Sequence, residues 1–442
     1  MLLDEREARA ITSKLLGYVK ADDAAVSVSG EEYAHLRFAA NAITTSGRRE
    51  DATASVTVWI EGKRGSATTN TLDDAGLRAA VEQAETLARV SPVDREYVPT
   101  LGPQKYKPTI QYAEATRRIT PAARARTVGE IIAMCERAGV VGAGFHQASV
   151  RAGGSATKNG NFYFDRETGV SLSVTARTKD GTGSGYFQRG HFDAAQFDPL
   201  RIARESIAKA TGSRSPRQLD PGVYTVILEA QAVGDLFSLG FDARSAEEGR
   251  SSFSAPGGKT RLGERVFDER VRIYSDPWHP QLPASAAAQG GIPAEKLFLV
   301  REGKLENLVY SRFWAKQRNR EPTPGPVNLI LESAGAVQTL EEMISTTERG
   351  LLVSHFWYIR PVDPRTALFT GLTRDGVWLV EGGKVQYPVN NFRFNQSVIQ
   401  MLAPGNLLGI GRPERIGPGN SASLIPPLKV KEFNFTSKSE AV

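Results

Sequence analysis

Hydrolytic or metal chemistry needs donor groups at workable spacings, and this sequence is sparing with them. It holds five histidines, His35, His146, His191, His279 and His355, and a single cysteine, Cys135. A zinc site gathers neutral imidazoles or thiolates, commonly from a pair on one helix face. None of the histidines stands at such a spacing from another, so each reads alone as a surface or core residue. Nucleophilic schemes find no better support. Ser238, Ser251 and Ser252 lie near no histidine in sequence, and no Gly-x-Ser-x-Gly elbow occurs. No Gly-x-x-x-x-Gly-Lys-Ser/Thr is present, and Gly153-Gly154 and Gly257-Gly258 lack the strand–turn–helix setting of a phosphate cradle. They read as turn glycines. The stretch from Arg244 to Gly263 is rich in Ser, Gly and Arg. Two readings of it stay open: a binding mouth lined by Arg250, Ser251 and Ser252, or a linker.

The elements that would carry any site fall into an ordered series. Residues 4–20 place Ala8, Ile11, Leu15, Leu16 and Val19 at helical spacing. Strand-like runs follow at Ala25–Ser29, Tyr33–Asn41 and Ser55–Ile60, then a turn from Gly62 to Gly65, a short strand and a second helix from Leu72 to Arg89. The same order returns in residues 121–216. A helix over 121–138 carries Val128, Ile131, Ile132 and Cys135 on one side, with strands at Val140–Val150 and Ser171–Ala176. A turn at Lys179-Asp180-Gly181, a short strand and a helix over Leu200–Ala210 complete it. This is an internal duplication of a helix-flanked antiparallel sheet, carried by element order more than by letters; Gly65-Ser66 matches Gly183-Ser184. The two copies would join edges or stack faces.

Val93–Pro108, with Pro99, Pro103 and Pro108, reads as a connector, and Gly212–Pro221 as a boundary. The expected domains are therefore 1–92, 93–218 and 219–442. The last begins with an apolar strand at Val223–Leu228 and a helix over Gln231–Gly240. Further strands are expected at Lys296–Arg301, Leu308–Tyr310, Asn328–Leu331, Gly350–Tyr358, Ala367–Thr370, Val377–Glu381 and Val385–Val389. Hairpins are expected at Glu302-Gly303-Lys304 and Glu381-Gly382-Gly383-Lys384, and loops at 314–326 and 412–427. The fold class expected is α+β, with a β-rich, barrel-like C-terminal domain.

Composition narrows the function classes. Hydrophobic content of 40% and charge of 24% are those of a folded globular chain. No apolar run reaches the roughly 18 residues that a membrane helix needs. The N-terminus turns acidic and helical at once without a signal-peptide stretch, and one cysteine forms no internal disulfide, so the cytoplasm is expected. The net charge of +6 comes from 55 basic residues interleaved with 49 acidic ones. The basic clusters are only pairs such as Arg48-Arg49 and Arg117-Arg118, not the stripe that nucleic acid requires.

The C-terminal half carries a family resemblance. Gly350-Leu351-Leu352-Val353, Phe356–Pro364, Thr370–Lys384 and Pro388–Ser397 resemble signature stretches of the TldD/PmbA family. Tyr310–Trp314, Pro322–Pro326 and Leu428–Thr436 fit the same pattern. The resemblance runs from about residue 4 to 437 and is most specific beyond residue 218. It implies an N-terminal α/β region, a β-rich C-terminal domain and pairing as a dimer. The catalytic branch of the family carries His-Glu-x-x-x-His on the helix after the first C-terminal strand. Two imidazoles there and a late cysteine hold zinc, which acidifies its bound water, and the Glu takes the proton.

This sequence departs from that pattern at the decisive place. Aligned without a gap, the first His position is Ala230, the Glu position is Gln231 and the second His position is Asp235. Alanine has no donor atom, and a neutral amide is no base. Cys135 lies in the predicted N-terminal helix and is not the late ligand. The resemblance thus implies a TldE/PmbA-like branch with no catalytic residue, metal or cofactor in this chain. Zinc would sit in a TldD-like partner subunit, and an extended peptide would be the shared substrate. Candidate cavity or binding positions are Glu229, Arg250, Ser251, Arg360, Arg374, Asp375, Asn391 and Arg393. Glu229 and Asp235 together suggest a hard-cation site, against which stands the simpler preference of carboxylates for a helix start. Arg374-Asp375-Gly376 reads as a tight hairpin turn, and Arg360 and Asp363 as an ion pair. Three alternatives remain beside the subunit reading: a self-sufficient peptidase with an unrecognised site, a regulatory protein linked to DNA gyrase, and a structural paralogue that binds no peptide.

Overall fold

Each expected helix of the first half begins on a side chain able to cap it. Asp4 closes a capping box with Glu7 on α1 (Glu5–Tyr18), and Asp73 caps α2 (Asp74–Val90). A short α3 (Glu114–Arg117) precedes α4 (Pro121–Arg137), which Thr120 caps with Pro121 in its first turn. Asp198 and Pro199 do the same for α5 (Pro199–Gly212). The computed structural model describes residues 2–419 and 421–440. Met1, Ala441 and Val442, and Asn420 within the expected 412–427 loop, lie outside the described residues.

The strands between these helices are longer than alternation suggested. Ala25–Ser29 and most of Tyr33–Asn41 belong to one strand, β1 (Asp23–Ala39), while Ala40 and Asn41 form the turn that follows it. It pairs with β2 (Ala42–Ile60), which pairs with β3 (Lys63–Thr69). The second copy gives β4 (Val140–Thr157), β5 (Phe162–Thr178) and β6 (Ser184–His191). The copies join by their edges through an antiparallel β1–β4 ladder, so one six-stranded sheet runs β3-β2-β1-β4-β5-β6. Leu15, Val26, Val56, Leu77 and Val81 pack in the first copy, and Val128, Ile131, Leu172, Val174 and Ile202 in the second. Cys135 is buried there, and burial pushes its thiol up to about 11.

Gly65 of β3 and Gly185 of β6 each lie against a helix backbone, and so does Gly183 just before β6, where a Cβ would lie 2.2 Å from the Ala210 carbonyl oxygen. A Cβ on Gly65 would lie 2.0 Å from the Ala84 carbonyl oxygen of α2, and one on Gly185 would lie 2.2 Å from the Ser206 carbonyl oxygen of α5. Both glycines therefore let a helix backbone settle directly onto the strand at the sheet's outer edge.

The C-terminal part opens with β7 (Gly222–Leu228) and α6 (Ala230–Leu236). That helix stops short of the expected Gly240, at a segment holding the weak helix formers Ser238 and Gly240. Four more strands, β8 (Arg349–Asp363), β9 (Leu368–Glu381), β10 (Asn391–Ser397) and β11 (Leu428–Ser439), complete a five-stranded barrel. Its order is β8-β7-β11-β10-β9, closed by the β8–β9 ladder. Phe356, Phe392, Phe394, Phe433 and Phe435 fill its interior, with ring centroids 4.6–5.5 Å apart in the Phe356–Phe394 and Phe356–Phe433 pairs. Full burial of each such ring contributes roughly 1.5–3 kcal/mol. A second six-stranded sheet, running from Lys304–Leu305 through Leu297–Arg301 and Val271–Ser275 to Glu414–Ile416, packs beside it.

The hairpins at Glu302-Gly303 and Gly382-Gly383 form as expected, with positive φ at both central residues of each. Other expectations need correction. Leu308–Tyr310 is no strand and makes only an isolated bridge at Val309, because Leu308 and Tyr310 are both drawn into the core. Arg312–Gln317 is helical, and short strands at Glu414–Ile416 and Ser423–Ile425 occupy the 412–427 stretch. Leu368–Thr370 and Val377–Glu381 lie on one strand, β9, with Ala367 in the turn before it, so Arg374-Asp375-Gly376 is not a hairpin turn. Among the described residues no helix is long and apolar enough to cross a membrane.

The glycine contacts give a test of opposite signs. Gly185→Ala must displace the α5 backbone and is expected to cost about 1–3 kcal/mol in urea unfolding. Gly129→Ala, at an α4 position with nothing within 4 Å, is expected to stabilise by up to about 1 kcal/mol. A neutral Gly185→Ala would contradict the close approach.

Candidate functional site

The positions that matter most by sequence lie where the barrel wall meets β6. Ala230 and Gln231 open α6, 2% and 6% exposed, with Asp235 one turn further on. Gln231 Nε2 donates to Asp235 Oδ1 at 2.7 Å, and the Phe356 backbone N–H of β8 donates to Asp235 Oδ2 at 3.0 Å. The Gln231 amide oxygen is buried and has no hydrogen-bond partner among the described residues.

Facing Asp235 is His355, a residue that spacing alone had set aside. Its Nε2 is 3.6 Å from Asp235 Oδ2, and its Nδ1 is 2.8 Å from Asp375 Oδ2, to which it donates. The imidazole thus stands between two carboxylates. Tyr186 of β6 stacks on it at 4.5 Å between centroids, and the Ser184 hydroxyl of the same strand donates to Asp375 Oδ1. One junction therefore gathers groups from α6, β8, β9 and β6.

A β-bulge puts Asp375 there. Val353 pairs with Val377 and His355 with Arg374, leaving Ser354 opposite both Asp375 and Gly376. Asp375 has φ +56° and Gly376 φ +124°, and Ser354 Oγ donates to the Asp375 carbonyl oxygen at 2.9 Å. A Cβ on Gly376 would lie 2.1 Å from the Trp378 ring, so glycine is required at this place. The bulge turns the Asp375 side chain towards His355.

The two acids are driven apart. Burial dominates at Asp235 and raises its pKa above the ordinary 3.8, against the His355 charge, the Phe356 N–H and the Gln231 amide. Burial also opposes ionisation of Asp375, but the hydrogen bond and charge of His355, with Ser184 and Arg374, outweigh it and hold this carboxyl below 3.8. Burial pushes the Tyr186 phenol up, and its hydroxyl donates to Gln188 Oε1 at 2.6 Å.

Glu229 does not join Asp235. It pairs with Lys209 of α5, a residue 8% exposed, and so ties the helix start to the N-terminal sheet. Asn391 accepts from Thr373 Oγ1 at 2.9 Å beside the bulge, lining a small space with Ser184 and Asp375. Arg374 lies 3.9 Å from Asp375 Oδ2 and over the Trp357 ring. Arg360 is exposed above Tyr358, while Asp363 accepts from Arg365, so the expected Arg360–Asp363 pair does not form. Arg393 is exposed on the outer face of β10, its neighbours Phe392 and Phe394 pointing into the barrel. Arg250 is exposed and pairs with Glu248, and Ser251 is buried, accepting from the Phe253 N–H.

The structure thus unites Gln231, Asp235, Arg374, Asp375 and Asn391, and leaves Arg250, Ser251, Arg360 and Arg393 elsewhere. His355, Ser184 and Tyr186 were missed. The available signal was a histidine inside the apolar run Leu351–Ile359, where a buried polar group demands a partner. As a donor set the three helix positions do not fit zinc: Ala230 offers a methyl group, Gln231 an amide, and the Asp235 carboxylate is already engaged. Among the described residues no three His, Cys, Asp or Glu side chains converge to hold a metal ion.

A duplicated α/β sheet docked on a closed barrel, with a helix start at their seam, defines the class of molecule, and sequence comparison agrees. The pattern described as the PmbA/TldA metallopeptidase C-terminal domain matches residues 221–437, and that of the PmbA/TldA metallopeptidase domain 1 matches residues 24–88. The chain belongs to the PmbA/TldD family. A metalloprotease of Archaeoglobus fulgidus is 27% identical over 180 residues, 40% of this chain and 38% of that protein. One of Methanothermobacter thermautotrophicus is 23% identical over 278 residues, 57% of this chain and 58% of that protein. The matched parts thus span less than two thirds of either relative. The crystal structure of TldE from Thermococcus kodakarensis superposes with a TM-score of 0.86 at 18% identity, covering 97% of this chain and 99% of that one. A candidate modulator of a DNA gyrase from Thermotoga maritima gives 0.84 at 17% identity, covering 97% and 100%. At these identities the likeness is one of fold.

The opposite shifts of the acids predict opposite responses to substitution. Asp375, with its lowered pKa, contributes stability that is full above pH 3.8 and lost as pH falls through its folded value. Asp375→Asn is expected to cost about 1.5–3 kcal/mol at pH 7, the loss shrinking below pH 3.8. Asp235, with its raised pKa, carries a buried charge at a cost once pH exceeds its folded value. Asp235→Asn keeps an oxygen for the Phe356 N–H and is expected to change stability at pH 7 by less than about 1 kcal/mol or to raise it. Urea unfolding across pH checks both, and a larger loss for Asp235→Asn than for Asp375→Asn at pH 7 would contradict the assignment.

Proposed function

We propose that this chain is the metal-free, TldE/PmbA-like subunit of a two-subunit peptidase acting in the cytoplasm. A TldD-like partner supplies zinc, ligands and general base, and this chain helps to hold an extended peptide through main-chain hydrogen bonds. The observation that carries the reading is the state of the helix start. Ala230 and Gln231 are buried, and Asp235 spends its oxygens on Gln231 and the Phe356 N–H instead of facing a substrate. Beside it, Trp357 and Tyr358 are 49% and 61% exposed with Arg374 and Arg360 over their rings, a rim suited to a peptide or a subunit.

The experiment is to purify the chain alone and together with a TldD-like partner, then measure bound zinc and peptide hydrolysis. The lone chain is expected to hold no stoichiometric zinc and to cleave nothing, whereas the pair does both. Stoichiometric zinc with chelator-sensitive hydrolysis by the lone chain would overturn the proposal. Chelator-insensitive hydrolysis by the lone chain would favour a self-sufficient peptidase. The gyrase-linked reading draws on the description of the Thermotoga maritima protein; DNA binding that falls steeply with salt would favour direct DNA contact, and its absence would disfavour it.

A further inference from the structure

Where the two copies of the duplicated unit meet, a cavity of about 230 Å³ opens at the start of α4, walled by β1, β2 and β4. Its wall includes Arg124, a side chain 3% exposed. Among the described residues the Arg124 guanidinium makes one long hydrogen bond, from Nη1 to the Ile119 carbonyl oxygen at 3.4 Å, and its Nε has no partner. A buried cation held this loosely is unusual, because charge removed from water is normally matched by an acid. Here burial and the neighbouring Arg48 charge both lower the Arg124 pKa, and no acid works against them. His146 adds no second charge beside it: burial lowers its pKa to about 4, so it is neutral at neutral pH.

The rest of the cavity is also cationic. Arg48, Arg117 and Arg118 line it, against Glu32 alone. Arg48 pairs with Glu32 and Glu50, and Arg118 with Glu114. Arg117 donates to the Tyr112 hydroxyl at 3.4 Å and feels Glu114 and Glu32 only at longer range, so among the described residues neither Arg117 nor Arg124 forms an ion pair with a carboxylate. The first turn of α4 adds its partial positive charge at the same place, with Thr120 and Pro121 in the wall.

We propose that this cavity binds a small oxyanion, the phosphate or carboxylate group of a low-molecular-weight ligand, with Arg124 as its buried anchor and Arg48 and Arg117 at the rim. The volume equals that of about eight waters, at about 30 Å³ each in the liquid, which excludes a macromolecular occupant from the pocket itself. A guanidinium presents a planar fork that matches either oxyanion, so the inference names their shared chemistry.

The test is calorimetric titration of the full chain with inorganic phosphate and, separately, with acetate, each against potassium chloride at matched ionic strength. Saturable binding of at least one anion above the chloride background is expected, together with a rise in thermal midpoint. Tighter phosphate binding would assign a phosphorylated ligand, tighter acetate binding a carboxylate one. Arg124→Met is expected to abolish the effect. Should that variant fail to fold, Arg48→Gln with Arg117→Gln, both at exposed positions, is expected to weaken binding by about threefold or more. No binding above chloride by the wild type, undiminished binding by Arg124→Met, or unchanged affinity in the double variant would overturn the proposal.

Discussion

The seam between the N-terminal sheet and the barrel depends on how one imidazole is shared between two acids. His355 cannot sit in a dry junction beside Tyr186 without partners, and neither can Asp235 or Asp375. Satisfying all three requires α6, β8, β9 and β6 to meet at one point. The Ser184 hydroxyl on Asp375 and the Lys209–Glu229 pair extend the same constraint to the duplicated sheet. Arg415, on the Glu414–Ile416 strand of the second sheet, ties that sheet to the duplicated one, donating to the Gly190 carbonyl oxygen of β6 at 2.9 Å. The relative position of sheet and barrel is thereby fixed by polar groups that tolerate little displacement, because each has few alternative partners in a low-dielectric setting.

That arrangement bears on the chemistry the seam can perform. General base catalysis needs an acceptor within reach of the proton it removes. His355 has one nitrogen on Asp375 and the other directed at Asp235, while Gln231 and Asp235 bond to each other. A helix start that would serve as an open ligand platform is instead closed into interior contacts. Asp375 reaches the cluster only through a bulge with a left-handed backbone at a non-glycine residue, a conformation that surrounding structure must enforce. The exposed rings of Trp357 and Tyr358 next to it lie outside this closed network and remain accessible.

Much of the architecture could be read from residue order. Capped amphipathic helices and glycine hairpins are encoded locally, so α1, α2, α4 and α5 and the turns at Gly303 and Gly382-Gly383 stand where patterning put them. The duplication was legible from the sequence of elements, and joining by edges was one of two arrangements left open. Strand lengths were less legible: β1 continues through Gly30-Glu31-Glu32, where alternation breaks down, because ladders on both sides with β2 and β4 hold it extended. Arg374-Asp375-Gly376 has the composition of a turn, yet a bulge uses the same backbone conformations inside a strand, and only pairing partners tell the two apart.

By itself the sequence determined which groups exist at the start of α6. Alanine at 230 and glutamine at 231 exclude an imidazole and a carboxylate there in any fold, since side-chain chemistry is a property of the residue. The tertiary structure decided what surrounds them. His355, Asp375, Ser184 and Tyr186 come from segments far apart in the chain, and their meeting depends on strand register, a bulge and the docking of β6 against the barrel. None of these leaves a periodic trace in sequence, because each is set by long-range pairing and not by neighbouring residues.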